Sequence, residues 1–422
     1  MRLTILNQFY VPDLSPTAHL AASLAEHRTE KGDTVTVVAG RGSYVSGTAS
    51  DHRRTDNPRV RRVWTPALGK ASLVRRLADY VSFITTAAFA MALLPRQDVV
   101  VCLTTPPYVA LAAALYKILN PKSRLLLWNM DCYPDAAEQA GLIAQGGWVS
   151  CILRSVNRWL YRRFDAIVAL DHAMAARLRP DAGRASVHVV PNWEQERDFP
   201  PNASPWAGAA SLGLAGKFVV LYAGNAGLGH RFETVVEVAR RLIQEPVVFL
   251  FIGGGSQFEW IRSKAIKLPN VLLHPYVPKE EMAHVLAMAG CSLITMRDEM
   301  AGIVSPSKLH GSLAMGVPIL YIGPAAGNVH EAIERFRCGM SIRNGDPEPV
   351  IEFVRHLMRG DPEMRQRAHG AFREAFCDRS GLAAFDELLD ADRGHGKRSN
   401  PTKLRICAAL IEDARPPGPA AR

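Results

Sequence analysis

The chain has 422 residues, enough for two domains or slightly more. Its 48% apolar and 21% charged residues describe a well-cored globular protein and exclude a disordered one. The formal net charge of +10 implies an anionic partner, while seven scattered cysteines with no Cys-x-x-Cys pair exclude a disulfide or metal framework and suit a reducing cytoplasm.

Residues 1–7 read as a strand rather than a signal peptide, because the apolar run is short and Pro12 and Asp13 follow it. Further strands are expected at 34–39, 60–64, 99–103, 125–128, 166–170 and 187–190. Helices are expected between them, among others at 17–31, 107–119 and 149–164. Apolar strands alternating with helices predict parallel strands buried on both faces, hence a doubly wound sheet. A polar, proline-rich stretch, Pro191-Asn192-Trp193 followed by Phe199-Pro200-Pro201, reads as a linker. The domain boundary is therefore expected near Pro200, with domains over 1–200 and 201–380. Residues 381–391 are expected to cross back to the first domain. Residues 392–422, rich in Gly, Lys, Arg and Pro, read as a basic, mostly disordered tail.

Two segments of the first half carry its surface character. Arg154, Arg158 and Arg162 recur every four residues and predict one helical stripe, with Arg163 beside it and Trp148, Ile152, Trp159 and Leu160 on the same segment. Residues 80–94, preceded by Arg75-Arg76, are mostly apolar but shorter than the ~20 needed to span a bilayer. Such a segment can lie in the membrane interface, with the arginines drawn to anionic lipid. A buried helix with a solvated arginine face has the same pattern. No nucleic-acid-binding motif appears, so a nucleic-acid partner is not expected.

The second half repeats strand, glycine loop and helix. Phe218 to His230 reads as a buried strand running into the loop Gly224-Asn225-Ala226-Gly227-Leu228-Gly229, and residues 247–256 run into Gly253-Gly254-Gly255. Glycine permits close backbone approach, so such loops can present N–H groups to a diphosphate. The third piece is Ile303-Val304-Ser305-Pro306-Ser307-Lys308-Leu309, closing at Gly316-Val317-Pro318. Pro306 suits a first helical turn and Ser305 an N-cap, so Ser307 and Lys308 would stand at a helix start that attracts anions. An ordinary capped helix with a solvated lysine has the same local sequence. Three such loops at carboxyl ends of strands favour a nucleotide site.

The segments Leu6-Asn7-Gln8-Phe9-Tyr10-Val11-Pro12-Asp13, Thr104-Thr105-Pro106-Pro107, Asp131-Cys132-Tyr133-Pro134-Asp135, Pro191-Asn192-Trp193, Tyr222-Ala223-Gly224-Asn225, Pro306-Ser307-Lys308-Leu309 and Ala314-Met315-Gly316-Val317-Pro318 occur in a telling order and spacing. In these the chain resembles the bacterial family-four, group 1 glycosyltransferases that build O-antigen and exopolysaccharide, over roughly residues 1–390. The resemblance implies an α/β protein of GT-B architecture, two doubly wound, Rossmann-like domains facing across a cleft. It further implies retaining transfer from a nucleotide diphosphate-sugar, UDP- or GDP-linked, with no obligatory metal or other cofactor. The acceptor implied is a lipid-linked or soluble glycan. With the basic stripe, this predicts a cytoplasmic enzyme peripheral to the anionic inner face of the inner membrane.

Relatives carry a pair of glutamates separated by seven residues, and here those positions are Ile303 and Gly311. The ribose contact is then expected elsewhere, with Glu331, one turn beyond Asn328, as the substitute. A leaving diphosphate needs preorganised positive potential. Lys308 is the leading candidate, with Ser307, Gly224, Asn225, Gly253 and Gly254 around it. His230 and Arg231 stand where the wider family puts basic residues on the phosphates, although a surface histidine and a solvated arginine also fit. On the acceptor side, Asn7 and Asp13 would form a loop on the cleft floor. Asp131 and Asp135 follow the fifth strand, where a carboxylate can accept a hydrogen bond from the acceptor or stabilise charge on the sugar; helix capping and a first-turn acid are the plain alternatives. Other readings are a non-catalytic sugar-binding subunit and a nucleotide-sugar epimerase of the same fold.

Overall fold

The computed structural model describes residues 1–13, 15–41, 57–66, 68 and 72–391. The tail expected over 392–422 lies outside the described residues. Two parallel sheets stand side by side, each covered by helices. The first has seven strands, β1 (Arg2–Leu6), β2 (Thr34–Gly40), β3 (Arg59–Val63), β4 (Val99–Leu103), β5 (Arg124–Trp128), β6 (Ala166–Ala169) and β7 (Ser186–Val189), in the order β3-β2-β1-β4-β5-β6-β7. Its helices are α1 (Pro16–Glu30), α2 (Leu73–Ala92), α3 (Ala110–Leu119), α4 (Asp135–Gln139), α5 (Trp148–Tyr161) and α6 (His172–Leu178). All five residues of β4 are buried, as a central strand covered on both faces must be.

The second sheet has β8 (Phe218–Asn225), β9 (Val247–Gly254), β10 (Val271–His274), β11 (Cys291–Thr295), β12 (Ile319–Ile322) and β13 (Gly339–Ile342), in the order β10-β9-β8-β11-β12-β13. Helices α7 (Glu233–Arg241), α8 (Phe258–Ala265), α9 (Met282–Ala287), α10 (Lys308–Ala314), α11 (Asn328–Phe336), α12 (Glu348–Met358) and α13 (Pro362–Ala371) pack around it. The strand order reverses between β1 and β4 and again between β8 and β11. Ligands of such sheets bind beyond the carboxyl ends of the strands at these reversals. The segments leaving β1, β4, β8 and β11 therefore define the site.

The chain returns to the first sheet at its end. After α13, a π-helical turn (Phe372–Phe376) leads to Cys377, which bridges to Glu194 of the linker. Helix α14 (Asp378–Asp390) then buries Leu382, Phe385 and Leu389 in the first hydrophobic core. Phe385 lies 4.3 Å from Trp128 of β5, ring centre to ring centre, and Trp128 stacks on Trp193 of the linker at 5.2 Å. Only glycine fits at 381, where a Cβ would come within 2.2 Å of the Trp193 ring. Buried Arg28 of α1 bonds Asp33, Asp386 and Asp390, clamping α14 to α1.

Helix α10 differs from expectation. It begins at Lys308 with Ser307 in the N-cap position, not at Pro306 after a Ser305 cap. The preceding segment is committed elsewhere: Ile303 is buried in the first domain's core, and its carbonyl accepts the Cys132 N–H at 2.8 Å.

Candidate active site

Lys308 sits where the β8 and β11 segments meet. Its half-buried side chain lies against Gly224, where a Cβ would stand 3.1 Å from Lys308 Cε. Nζ donates to the Asn225 carbonyl at 3.4 Å and lies 4.7 Å from the centre of the Tyr222 ring. Burial pushes its pKa down to about 8. The ammonium is thus held by one carbonyl and one ring face, with no carboxylate partner among the described residues, in a position to take an anion.

The glycines around it have a different first duty from the one expected. Gly253 and Gly254 lie in the β8–β9 ladder, paired with Gly224 and Asn225, and not in an open loop. A Cβ on Gly253, whose φ is +142°, would lie 2.1 Å from the Gly224 carbonyl oxygen. These glycines let two strand ends close on each other and so shape the notch that Lys308 enters. His230 is not a phosphate cation. Its Nδ1 donates to the Thr295 carbonyl at 2.6 Å, its ring meets the Tyr222 ring edge-on, and burial pushes its pKa down to about 3. It is a neutral imidazole that fixes the loop. Arg231 lies 3.5 Å from Glu233.

Neither position at which the family resemblance expects a glutamate offers open space for one. Ile303 is buried in the first core, and a Cβ at Gly311 would meet the Phe199 ring at 3.1 Å. Glu331, expected at the ribose, instead pairs with His172 of the first domain at 2.7 Å and accepts the His172 backbone N–H. Beside it, Asp171 caps α6 and also accepts the Asn328 N–H at 3.2 Å, so one carboxylate ties two helix starts from different domains.

On the facing side, Asp131 follows β5 and is held by its backbone, since Thr104 Oγ1 accepts the Met130 N–H at 2.9 Å and the Asp131 N–H at 3.4 Å. Burial pushes its carboxyl up to about 6. The bond from Cys132 to Ile303 draws this turn towards the segment that ends in Lys308. Tyr108 lines the same small cavity as Asp131, with a left-handed φ of +66° that nothing in the sequence announces.

The other acceptor-side candidates make local contacts. Asp135 is buried between Arg154 at 3.1 Å and Arg177 at 2.8 Å, which removes it from the cleft. Asn7 bonds the Phe9 carbonyl, and Asp13 accepts the Ser15 N–H, so both fix the loop they stand in. The arginine stripe is also reduced. Arg154 is bound by Asp135 and Glu138, Arg158 approaches Asp181 at 4.0 Å, and Arg162 and Arg163 lie beyond the last residue of α5, Arg163 stacking on Trp159. Exposed apolar side chains are prominent instead: Val74, Val81 and Phe89 of α2, Ile118 and Leu119 of α3, and Trp148 and Ile152 of α5. Among the described residues, no group of three or more His, Cys, Asp or Glu is gathered to hold a metal, and no helix is long and apolar enough to cross a membrane.

Residues 17–193 match the family described as a glycosyl transferase 4-like domain, and residues 217–360 match glycosyl transferases group 1. WbjE of Pseudomonas aeruginosa, named as a glycosyltransferase, is 23% identical over 61% of this chain and 66% of its own length. WcaI of Escherichia coli K12, whose name assigns it to colanic acid biosynthesis, is 25% identical over 80% of this chain and 86% of its own length. Among solved structures, HepE of Anabaena in complex with UDP-glucose superposes with a TM-score of 0.66 at 14% identity, over 93% of this chain and all of that one. The two-sheet fold is therefore GT-B, and the chain is built from a glycosyl transferase 4-like domain followed by a glycosyl transferases group 1 domain.

Proposed function

We propose that this glycosyltransferase moves a sugar from a UDP- or GDP-linked donor to a glycan acceptor, with retention and without an obligatory metal, in the assembly of a bacterial surface polysaccharide. The observation that carries the reading is the ammonium of Lys308, set in the β8–β9 notch without a carboxylate partner among the described residues. It stands on the segment whose Ile303 carbonyl accepts the N–H of Cys132, next to Asp131. In the transfer, the bond from the anomeric carbon to the β-phosphate oxygen breaks and the acceptor oxygen bonds to that carbon. The acceptor proton passes to the departing phosphate. Lys308 offsets the charge developing on that phosphate, and Asp131 faces the electron-poor sugar. The name of WcaI supports the pathway class, and the UDP-glucose complex of HepE supports the donor class.

Free UDP or GDP at millimolar concentration should raise the melting temperature with a chelator present, because a ligand of the folded state stabilises it. A panel of labelled nucleotide sugars then identifies the donor, and NMR of the product's anomeric centre reads retention or inversion. No thermal shift with either nucleotide would remove the donor site.

The same reading places the acceptor on a lipid at the cytoplasmic face of the inner membrane. It is supported by the exposed apolar side chains of α2, α3 and α5 more than by the arginine stripe.

A further inference from the structure

A cavity of about 130 Å³ lies between the domains, bounded by His19 of α1, Asn192 of the linker, and Ser307 and His310 of the segment that carries Lys308. Three polar atoms on its lining residues are buried without a partner: His19 Nε2, Asn192 Oδ1 and His310 Nε2. His310 is 2% exposed. Burial pushes its pKa down to about 4, and its other nitrogen is engaged by the Ser307 carbonyl, which leaves Nε2 as an acceptor. The Asn192 amide group faces Met130 sulfur at 3.8 Å, leaving its carbonyl oxygen as an acceptor too. Native interiors rarely leave such atoms unmatched.

The wall selects its ligand by chemistry. A phosphate, which chiefly accepts, would meet the acceptors His310 Nε2 and Asn192 Oδ1, with His19 Nε2 able to take either role. Lys279, the lysine on the lining, is held by Asp198 at 3.1 Å. Hydroxyl groups match, since each can donate to an imidazole or amide oxygen. The volume is that of a few water molecules or the hydroxylated edge of one sugar ring. Ser307, on the cavity lining, immediately precedes Lys308 at the start of α10, so the cavity and the lysine share one turn of chain.

We propose that this cavity binds the vicinal hydroxyls of a sugar ring, with His310 and Asn192 as hydrogen-bond acceptors and His19 as a third hydrogen-bonding group. The ring is either the ribose of the donor nucleotide or a ring of the glycan acceptor. The ribose case rests on the donor reading above; the glycan case does not.

Two measurements on the full chain separate the sources. Calorimetric titration with UDP and GDP against their 2′-deoxy and 3′-deoxy forms reads the ribose case. Saturation-transfer NMR with methyl glucoside and methyl galactoside, in the presence of UDP, reads the glycan case. Either the deoxy forms bind roughly tenfold more weakly, as loss of a hydrogen bond to a buried acceptor requires, or a glycoside shows saturation transfer. The effect should shrink in His310→Phe, which keeps the ring volume and removes the acceptor, and persist in His310→Asn. Equal binding of all nucleotide forms together with silent glycosides, in the wild type alone, overturns the proposal and leaves a cavity filled by water. An effect of the same size in His310→Phe overturns the role of His310. If no nucleotide binds at all, the donor reading fails, and the glycoside signal alone decides for or against the cavity.

Discussion

Lys308 meets a leaving diphosphate in surroundings that themselves disfavour its charge, and this gives the donor site a pH signature. With its pKa pushed down to about 8 by burial, the free protein loses the ammonium as pH rises through that value. Affinity for UDP or GDP should be flat below about 8 and fall above it, because only the protonated amine offsets the phosphates. Calorimetric titration across pH 6.5–9.5 checks this, and an affinity that rises with pH would reverse the assignment. Lys308→Ala should lower turnover by roughly one to three decades with the fold intact, the size expected for one charge-stabilising donor. Asp131, at about 6, should give turnover a rising limb through that pH if its carboxylate is the working form. Asp131→Asn should abolish that limb and cost roughly tenfold to a thousandfold; a limb that persists in the variant belongs to another group. Both candidates can be picked out in the sequence, since each follows directly from a strand end or helix start. The depressed pKa of His230 was not legible there, because it arises from burial and the nearby Lys308 charge, which outweigh the bond to the Thr295 carbonyl of another strand. Nor was the capture of Asp135, whose cations lie 19 and 42 residues further along the chain.

At the scale of elements, the apolar runs marked every strand of the first sheet and β8 and β9 of the second, because a buried strand has few polar positions to blur its ends. The short strands β10, β11 and β13 were not singled out. What the runs did not disclose is how strand ends meet. The β8–β9 ladder continues through Gly224 and Asn225, where sequence reasoning expects a loop, because glycine lets two backbones approach as well as it lets one turn. The start of α10 was displaced for a similar reason: Ile303 is drawn into the other domain, and the Pro306 carbonyl faces the Asn328 amide at 3.5 Å. Helix α14 is held to α1 by Arg28, whose side chain is 1% exposed and whose charge is shared among three carboxylates. Desolvation alone would push Asp33 and Asp386 up. The bonds from the N-terminus, Lys31, His27 and Arg28 outweigh it and hold both below the usual carboxylate range. Their contribution is therefore present above the ordinary carboxylate pKa and is lost as pH falls through the lowered values. Arg28→Ala withdraws the cation from all three carboxylates and should lower the unfolding free energy by about 3–5 kcal/mol. Urea denaturation at pH 7 measures this, and a change below about 1 kcal/mol would make the cluster a minor one.

For the whole molecule, the open question is what its positive charge and its exposed apolar side chains face together. Helices α2 and α3 pack side by side, and Val81 and Phe89 on one and Ile118 and Leu119 on the other are all more than half exposed. Arg75 and Arg76 stand in the first turn of α2. Bound arginines such as Arg154 have little charge left for a lipid, so the apolar side chains should carry more of the attraction than the stripe does. Inserting one such side chain into the interfacial layer contributes on the order of 1–2 kcal/mol, less than its full transfer because it is already partly packed. The wild-type protein should therefore sediment with vesicles of anionic lipid. Part of it should remain bound in high salt, since screening over a Debye length removes only the charge term. Changing Val81, Phe89, Ile118 and Leu119 together to serine should weaken vesicle binding by more than tenfold and leave UDP binding unchanged. Changing Arg158 and Arg162 to glutamate should weaken it only at low salt. If the serine variant binds as well as the wild type while the glutamate variant does not bind at all, the attraction is electrostatic and the apolar face belongs to another partner.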